Sequence, residues 1–107
     1  MKPEIKKKWT EALKSGEYKQ SSGFLQNQNG FCCLGVLCDL YAKENRIIWK
    51  EELLGHRTVL PVEVMRWAGL DRNNPYIDLD RPYSLAGLND LGEHSFSQIA
   101  AIIETQL

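Results

Sequence analysis

Phe31-Cys32-Cys33-Leu34-Gly35-Val36-Leu37-Cys38-Asp39-Leu40-Tyr41 holds one charged residue, Asp39, in eleven positions, and the stretch continues into Ala42-Lys43-Glu44. Periodicity alone does not separate a buried strand from a buried helix. The run is nevertheless long, and Leu34, Leu37, Cys38 and Tyr41 recur at helical spacing. It reads as a central helix over 33–44. Because it is apolar nearly all round, other elements must cover most of its sides.

On the N-terminal side, Pro3 suits a first helical turn, and Ile5, Trp9, Ala12 and Leu13 form one stripe of a helix over 3–15 that Gly16 ends. Trp9 is its large apolar anchor against the central run. Asn29-Gly30 between short apolar runs predicts a turn in a ribbon over 18–32, since both residues tolerate positive φ. On the C-terminal side, residues 46–49 and 56–60 are candidate short strands. Pro61 opens a helix over 61–68, which Gly69-Leu70 stops in the left-handed manner. Tyr76-Ile77-Asp78-Leu79-Asp80 alternates as a half-buried strand does, until Arg81-Pro82-Tyr83 breaks it. Ser84 caps a short helix closed by Gly92. Ser95 and Gln98 form a capping box for a helix over 96–106 with Phe96, Ile99, Ala100, Ile103 and Leu107 on one stripe. The fold class is therefore α+β: a single compact domain over 1–107, helix-rich around a buried central helix, with a small antiparallel hairpin.

The bulk properties agree with one ordinary globular core: 107 residues, 43% apolar, 25% charged, net charge -1. Near-neutrality does not favour a nucleic-acid partner, and Lys6, Lys7 and Lys8 read as a solvated helix face. Met1-Lys2-Pro3-Glu4 leads into an amphipathic pattern with no signal-peptide character, and no apolar stretch is long enough for a membrane span. Three cysteines without framework spacing suggest reduced, buried thiols. The expected compartment is the cytoplasm.

Four constellations could carry chemistry. Cys32 and Cys33 at a helix N-terminus could have their thiolates stabilised by the dipole, with His94 or His56 as the base of a cysteine-dependent hydrolase. The bland alternative is that they pack as small apolar groups. The Cys32, Cys33, Cys38 spacing lacks the pairing of a zinc site, so no metal is expected, and no cofactor motif is present. Asp39 within a buried helix must find donors: it is either a structural bond to Arg, Lys, Tyr, Trp or a backbone amide, or the floor of a binding pocket. Tyr76, Asp78, Asp80, Arg81 and Tyr83 mix aromatic rings with a guanidinium, as binding surfaces do, and as solvated strand edges also do. Asn89-Asp90 reads as a short helix end whose side chains bond locally.

Trp9 with Ala12-Leu13, residues 15–20, the Phe31-Cys32-Cys33-Leu34-Gly35-Val36-Leu37-Cys38-Asp39-Leu40 run, Leu60-Pro61, Trp67-Ala68-Gly69-Leu70 and Leu88-Asn89-Asp90 before Phe96 and Ile99-Ala100 together resemble small proteins encoded by bacteriophages and prophages. The resemblance spans most of the chain and implies a genomic context, with no catalytic residue attached. Short phage accessory proteins commonly bind a host component, including parts of antiviral defence, and some sequester signalling nucleotides. The resemblance thus raises a non-enzymatic binder of a host protein or a small polar ligand above an enzyme; the residues expected to bind, from their own chemistry, are Tyr76, Asp78, Asp80, Arg81, Tyr83 and Asp39. The alternative is the hydrolase using Cys32 or Cys33. If the chain pairs as a homodimer, leftover apolar residues on the four helices would supply the seam.

Overall fold

The computed structural model describes residues 1–107 and runs α1 (Pro3–Lys14), β1 (Gln26–Asn27), β2 (Gly30–Phe31), α2 (Cys33–Glu44), α3 (Val62–Ala68), β3 (Tyr76–Asp78), β4 (Pro82–Ser84), α4 (Leu85–Asp90) and α5 (Phe96–Gln106). The apolar run is the helix α2, and its residues Cys33 to Cys38 are all buried. Cys32 is its N-cap, with Sγ accepting from the Gly35 amide at 3.4 Å. α1, α3, α4 and β2 cover it. Trp9 is completely buried, and its indole N–H donates to the Cys33 carbonyl at 2.9 Å, so the one polar group of this apolar anchor is matched inside the core. The Cα radius of gyration, 12.4 Å, is at the value of about 13 Å expected for one domain of this length. The chain is a single α+β domain.

Local signals decide several boundaries. α3 ends in a Schellman arrangement: Gly69 has φ 73°, its amide donates to the Arg66 carbonyl at 3.3 Å, and the Leu70 amide donates to the Met65 carbonyl at 2.9 Å. At α5 the capping box is complete, with Gln98 N–H donating to Ser95 Oγ at 3.2 Å and Ser95 N–H to Gln98 Oε1 at 2.8 Å. Ser95→Ala is accordingly expected to lower stability by about 1 kcal/mol, read as a shift of the urea midpoint at unchanged slope; an unshifted midpoint would count against the cap.

The structure departs from the sequence reading in four places. First, the β1–β2 register pairs Asn27 with Gly30, so Gln28 and Asn29 make the turn and Gly30 belongs to the strand. Gly30 is needed for close approach: a Cβ there would lie 2.2 Å from the Lys19 carbonyl oxygen, while the Phe31 amide donates to that same oxygen at 2.8 Å. Second, residues 46–49 and 56–60 are not strands. Only the Leu53–His56 bridge forms in that region, because Ile47 and Trp49 are held by side-chain packing and no strand edge faces their backbone. Third, Arg81-Pro82-Tyr83 does not end the sheet. It leads into the return strand β4, which pairs antiparallel with β3 as Tyr76 with Ser84, Ile77 with Tyr83 and Asp78 with Pro82; proline is tolerated in such an edge strand. Fourth, α5 packs chiefly along α1 and against β3 rather than on α2, with Lys14 and Glu104 paired across the α1–α5 seam.

Candidate functional site

All three thiols are inside the core, Cys32 at 2% exposure and Cys33 and Cys38 at none. Burial pushes the Cys32 thiol up to about 11 and those of Cys33 and Cys38 further. Cys33 Sγ donates to the Leu85 carbonyl at 3.6 Å, and neither Cys32 nor Cys33 bonds to His94, whose carbonyl instead accepts from Gln20 Nε2 at 3.0 Å. Native thiols should therefore react slowly with a disulfide reagent at neutral pH and rapidly once the chain is unfolded; fast labelling of Cys32 or Cys33 in the native protein would contradict this burial. Below the ordinary thiol value of 9.0 the folded and unfolded chains both keep these protons. Above it the unfolded thiols ionise first, the folded state holds more protons, and stability falls as pH rises through the folded value of Cys32 near 11.

Asp39 sits on α2 with both carboxylate oxygens occupied. Tyr18 Oη donates to Oδ2 at 2.6 Å, Lys43 Nζ lies 3.2 Å from the same oxygen, and Trp49 Nε1 donates to Oδ1 at 3.0 Å. The Tyr18 hydroxyl is pushed up by burial and by its bond to Asp39, whereas the bonds to Tyr18 and Asp39 hold Lys43 charged. Phe31 stacks edge-on between Tyr18 and Trp49, with ring centroids 5.0 and 6.2 Å away. The carboxylate thus ties the residue 18 and residue 49 segments to the central helix.

The Tyr76 to Tyr83 cluster becomes the β3–β4 hairpin, but not one face of it. Ile77 is buried and Tyr83, directly opposite, shares its side, whereas Tyr76 and Asp78 point the other way and are exposed. Tyr76 is 58% exposed, with the Arg72 guanidinium 5.4 Å from its ring centroid; Arg81 lies 4.9 Å from the ring of half-buried Tyr83. Gln106 at the end of α5 clamps the strand, donating to the Asp78 carbonyl at 2.6 Å and accepting from its amide at 2.7 Å. Asp80 and Arg81 project at the tip, next to exposed Leu79. Beside Tyr76 a groove of about 560 Å³ runs between Met65, Arg72 and Asn73. Asp39 makes no hydrogen bond to any hairpin residue, so these two candidates are separate.

A third place was not visible in the sequence. Asn89, 2% exposed, is a long-range node. Its Oδ1 accepts from Gln20 Nε2 at 3.0 Å and from the Cys33 amide at 3.2 Å, and its Nδ2 donates to the Ser21 carbonyl at 2.8 Å and to Asp90 Oδ1 at 3.1 Å. It forms part of a cleft of about 470 Å³ between residues 20–22 and 89–95, with no hydrophobic residue in its lining. His94 is one of the lining residues, and its Nδ1 is buried without a hydrogen-bond partner. The signal available beforehand was only the Leu88-Asn89-Asp90 composition, which equally suits a helix end.

No group of three or more His, Cys, Asp and Glu side chains converges to hold a metal ion, and no helix is long and apolar enough to cross a membrane. With the helical core, the two small hairpins and the polar cleft in place, the class is a small α+β domain with its thiols inside and its polar features at the surface. The chain belongs to the family described as Domain of unknown function (DUF8296), which matches residues 1–107. No curated protein and no solved structure matches it.

Proposed function

We propose that this is a non-enzymatic phage accessory protein that works in the host cytoplasm without a cofactor, by binding a host protein or by sequestering a small polar ligand such as a nucleotide. The observation that carries this reading is the outer face of the β3–β4 hairpin. Tyr76 is 58% exposed yet positioned by Arg72, and the strand beneath it is clamped by Gln106. A large ring held out in water beside a guanidinium is the kind of rigid anchor on which binding energy concentrates. The resemblance of the Phe31 to Leu40 run and its companions to phage-encoded proteins supports the accessory role. The hydrolase using Cys32 or Cys33 has less support, since a nucleophile needs a thiolate near neutral pH and burial opposes one.

Affinity capture from a bacterial lysate, with mass spectrometry of retained proteins and retained small molecules, tests the reading. The expected result is one partner or ligand held by the native chain and lost from Tyr76→Ala and Arg72→Ala, the ring and guanidinium of the outer face. Turnover of a captured compound that disappears in folded Cys33→Ala would replace the binding reading with the hydrolase.

A further inference from the structure

The groove beside Tyr76 has a volume of about 560 Å³, within the range of about 300–1,000 Å³ typical of small-molecule sites. Three pieces of chain build it. The left-handed stop at Gly69 ends α3 and releases the turn 71–74, and the Leu60 amide donates to the Asn73 carbonyl at 2.9 Å, which ties the residue 59 segment to that turn. Val59, Met65 and Tyr76 give the lining an apolar part. Asp71 and Arg72 put opposite charges in the same lining at adjacent positions, yet neither belongs to an ion pair with any residue of the chain. The Arg72 guanidinium is held instead over the exposed Tyr76 ring, 5.4 Å from its centroid, so its N–H donors face no carboxylate. Asn74 Oδ1 accepts from the Ala86 amide at 3.1 Å, which orients that side chain and leaves its Nδ2 donors unspent.

Each feature restricts the occupant. An aromatic ring suits the apolar part, because it can pack offset or edge-on against Tyr76 and against the Met65 thioether. The unpaired guanidinium, with amide donors beside it, calls for a carboxylate. A phosphate dianion matches less well, since Asp71 lines the same groove and repels it. Asp71 in turn calls for a cation, and the two lining charges cancel, so the complement is a ligand that carries both signs next to a ring. From this we propose that the groove binds a free aromatic amino acid, with its carboxylate on Arg72 and Asn74 Nδ2, its ammonium on Asp71, and its ring against Tyr76, Met65 and Val59. A peptide end does not match, because it presents only one of the two charges. The inference rests on the reading of the Tyr76 face as a binding surface, and puts an amino acid in place of a nucleotide as its small polar ligand.

L-Phenylalanine is the probe, 3-phenylpropionate lacks its ammonium, phenethylamine lacks its carboxylate, and glycine lacks its ring. Titrated into isotopically labelled full-length chain, L-phenylalanine should shift the Asn74 side-chain amide, the Met65 methyl and the Tyr76 backbone amide saturably, and glycine should not. Phenylpropionate and phenethylamine should each bind about threefold more weakly, the size of one exposed ion pair. Asp71→Asn breaks no ion pair within the chain, and should remove the preference for L-phenylalanine over phenylpropionate while leaving phenylpropionate bound. That change of selectivity is one that a merely structural role of Asp71 would not produce. Absence of saturation, phenylpropionate binding as tightly as L-phenylalanine, or an unchanged preference in Asp71→Asn would each overturn the inference. If L-phenylalanine does not bind but a protein captured from lysate is released by Tyr76→Ala, the inference falls and the proposed function stands; if neither is seen, both fall.

Discussion

Gly35→Ala is expected to lower stability by about 4 kcal/mol or more, although the same change in an exposed helix gains about 1 kcal/mol from propensity alone. The two effects have opposite signs, so the sign decides between them. Gly35 lies in the first turns of α2, and a Cβ there would stand 1.7 Å from the Leu25 carbonyl oxygen and 2.6 Å from its carbon. Neither partner has room to yield. The Leu25 carbonyl accepts from the Cys32 amide at 3.2 Å, and the Leu25 amide donates to the Arg57 carbonyl at 2.7 Å. Backing away would therefore break the bond that seats the start of the central helix, and would pull on the 57 segment as well. Since the obstacle is backbone, Leu25→Ala should give no rescue in the Gly35→Ala background. Thermal unfolding followed by circular dichroism measures both variants. A melting temperature at or above that of the native chain, or recovery in the double variant, would show that α2 does not press on residue 25.

Helices were legible because their signals are local. The 33–44 run, the Pro3 start, the Gly69-Leu70 stop and the Ser95/Gln98 box each act within a few residues, and each sits where the pattern placed it. Contacts between distant residues were not legible. Asn29-Gly30 looked like a turn pair, yet Gly30 is required by the carbonyl of Lys19, on a segment that the turn pattern does not encode. Residues 46–49 have strand composition but no edge to pair with, and Trp49 instead reaches Asp39 on α2. For Asp39 the need for donors was readable from burial; Lys43 is one helical turn on, but Tyr18 and Trp49 could only be named once the fold was known. The Tyr76 to Tyr83 cluster was legible as composition, while its division between two sides of a hairpin depends on a register that Arg81-Pro82 concealed.

Asn89→Ala is expected to cost about 3 kcal/mol, from the buried Cys33 amide and the part-buried Ser21 carbonyl left unmatched, a large share of the 5–15 kcal/mol or so that holds a typical domain together. The side chain takes part in four hydrogen bonds, to residues 20 and 21, to Cys33 on α2 and to its own neighbour Asp90. Truncation strands the Cys33 amide at the start of α2 and the Ser21 carbonyl. Gln20 loses only one of its two acceptors, the His94 carbonyl remaining at 3.0 Å. Gln20→Ala should therefore be the milder change, and the double variant should cost less than the sum of the two, because the Gln20–Asn89 bond is counted in both. A coupling of about 1 kcal/mol in that cycle would apportion the bond, and chemical denaturation at equal slope would read it. Full additivity would mean that the two residues act independently. A cost below about 0.5 kcal/mol for Asn89→Ala, the range of surface positions, would mean that the residue is the fraying helix end its sequence suggests, with no part in holding residues 20–22 against α4.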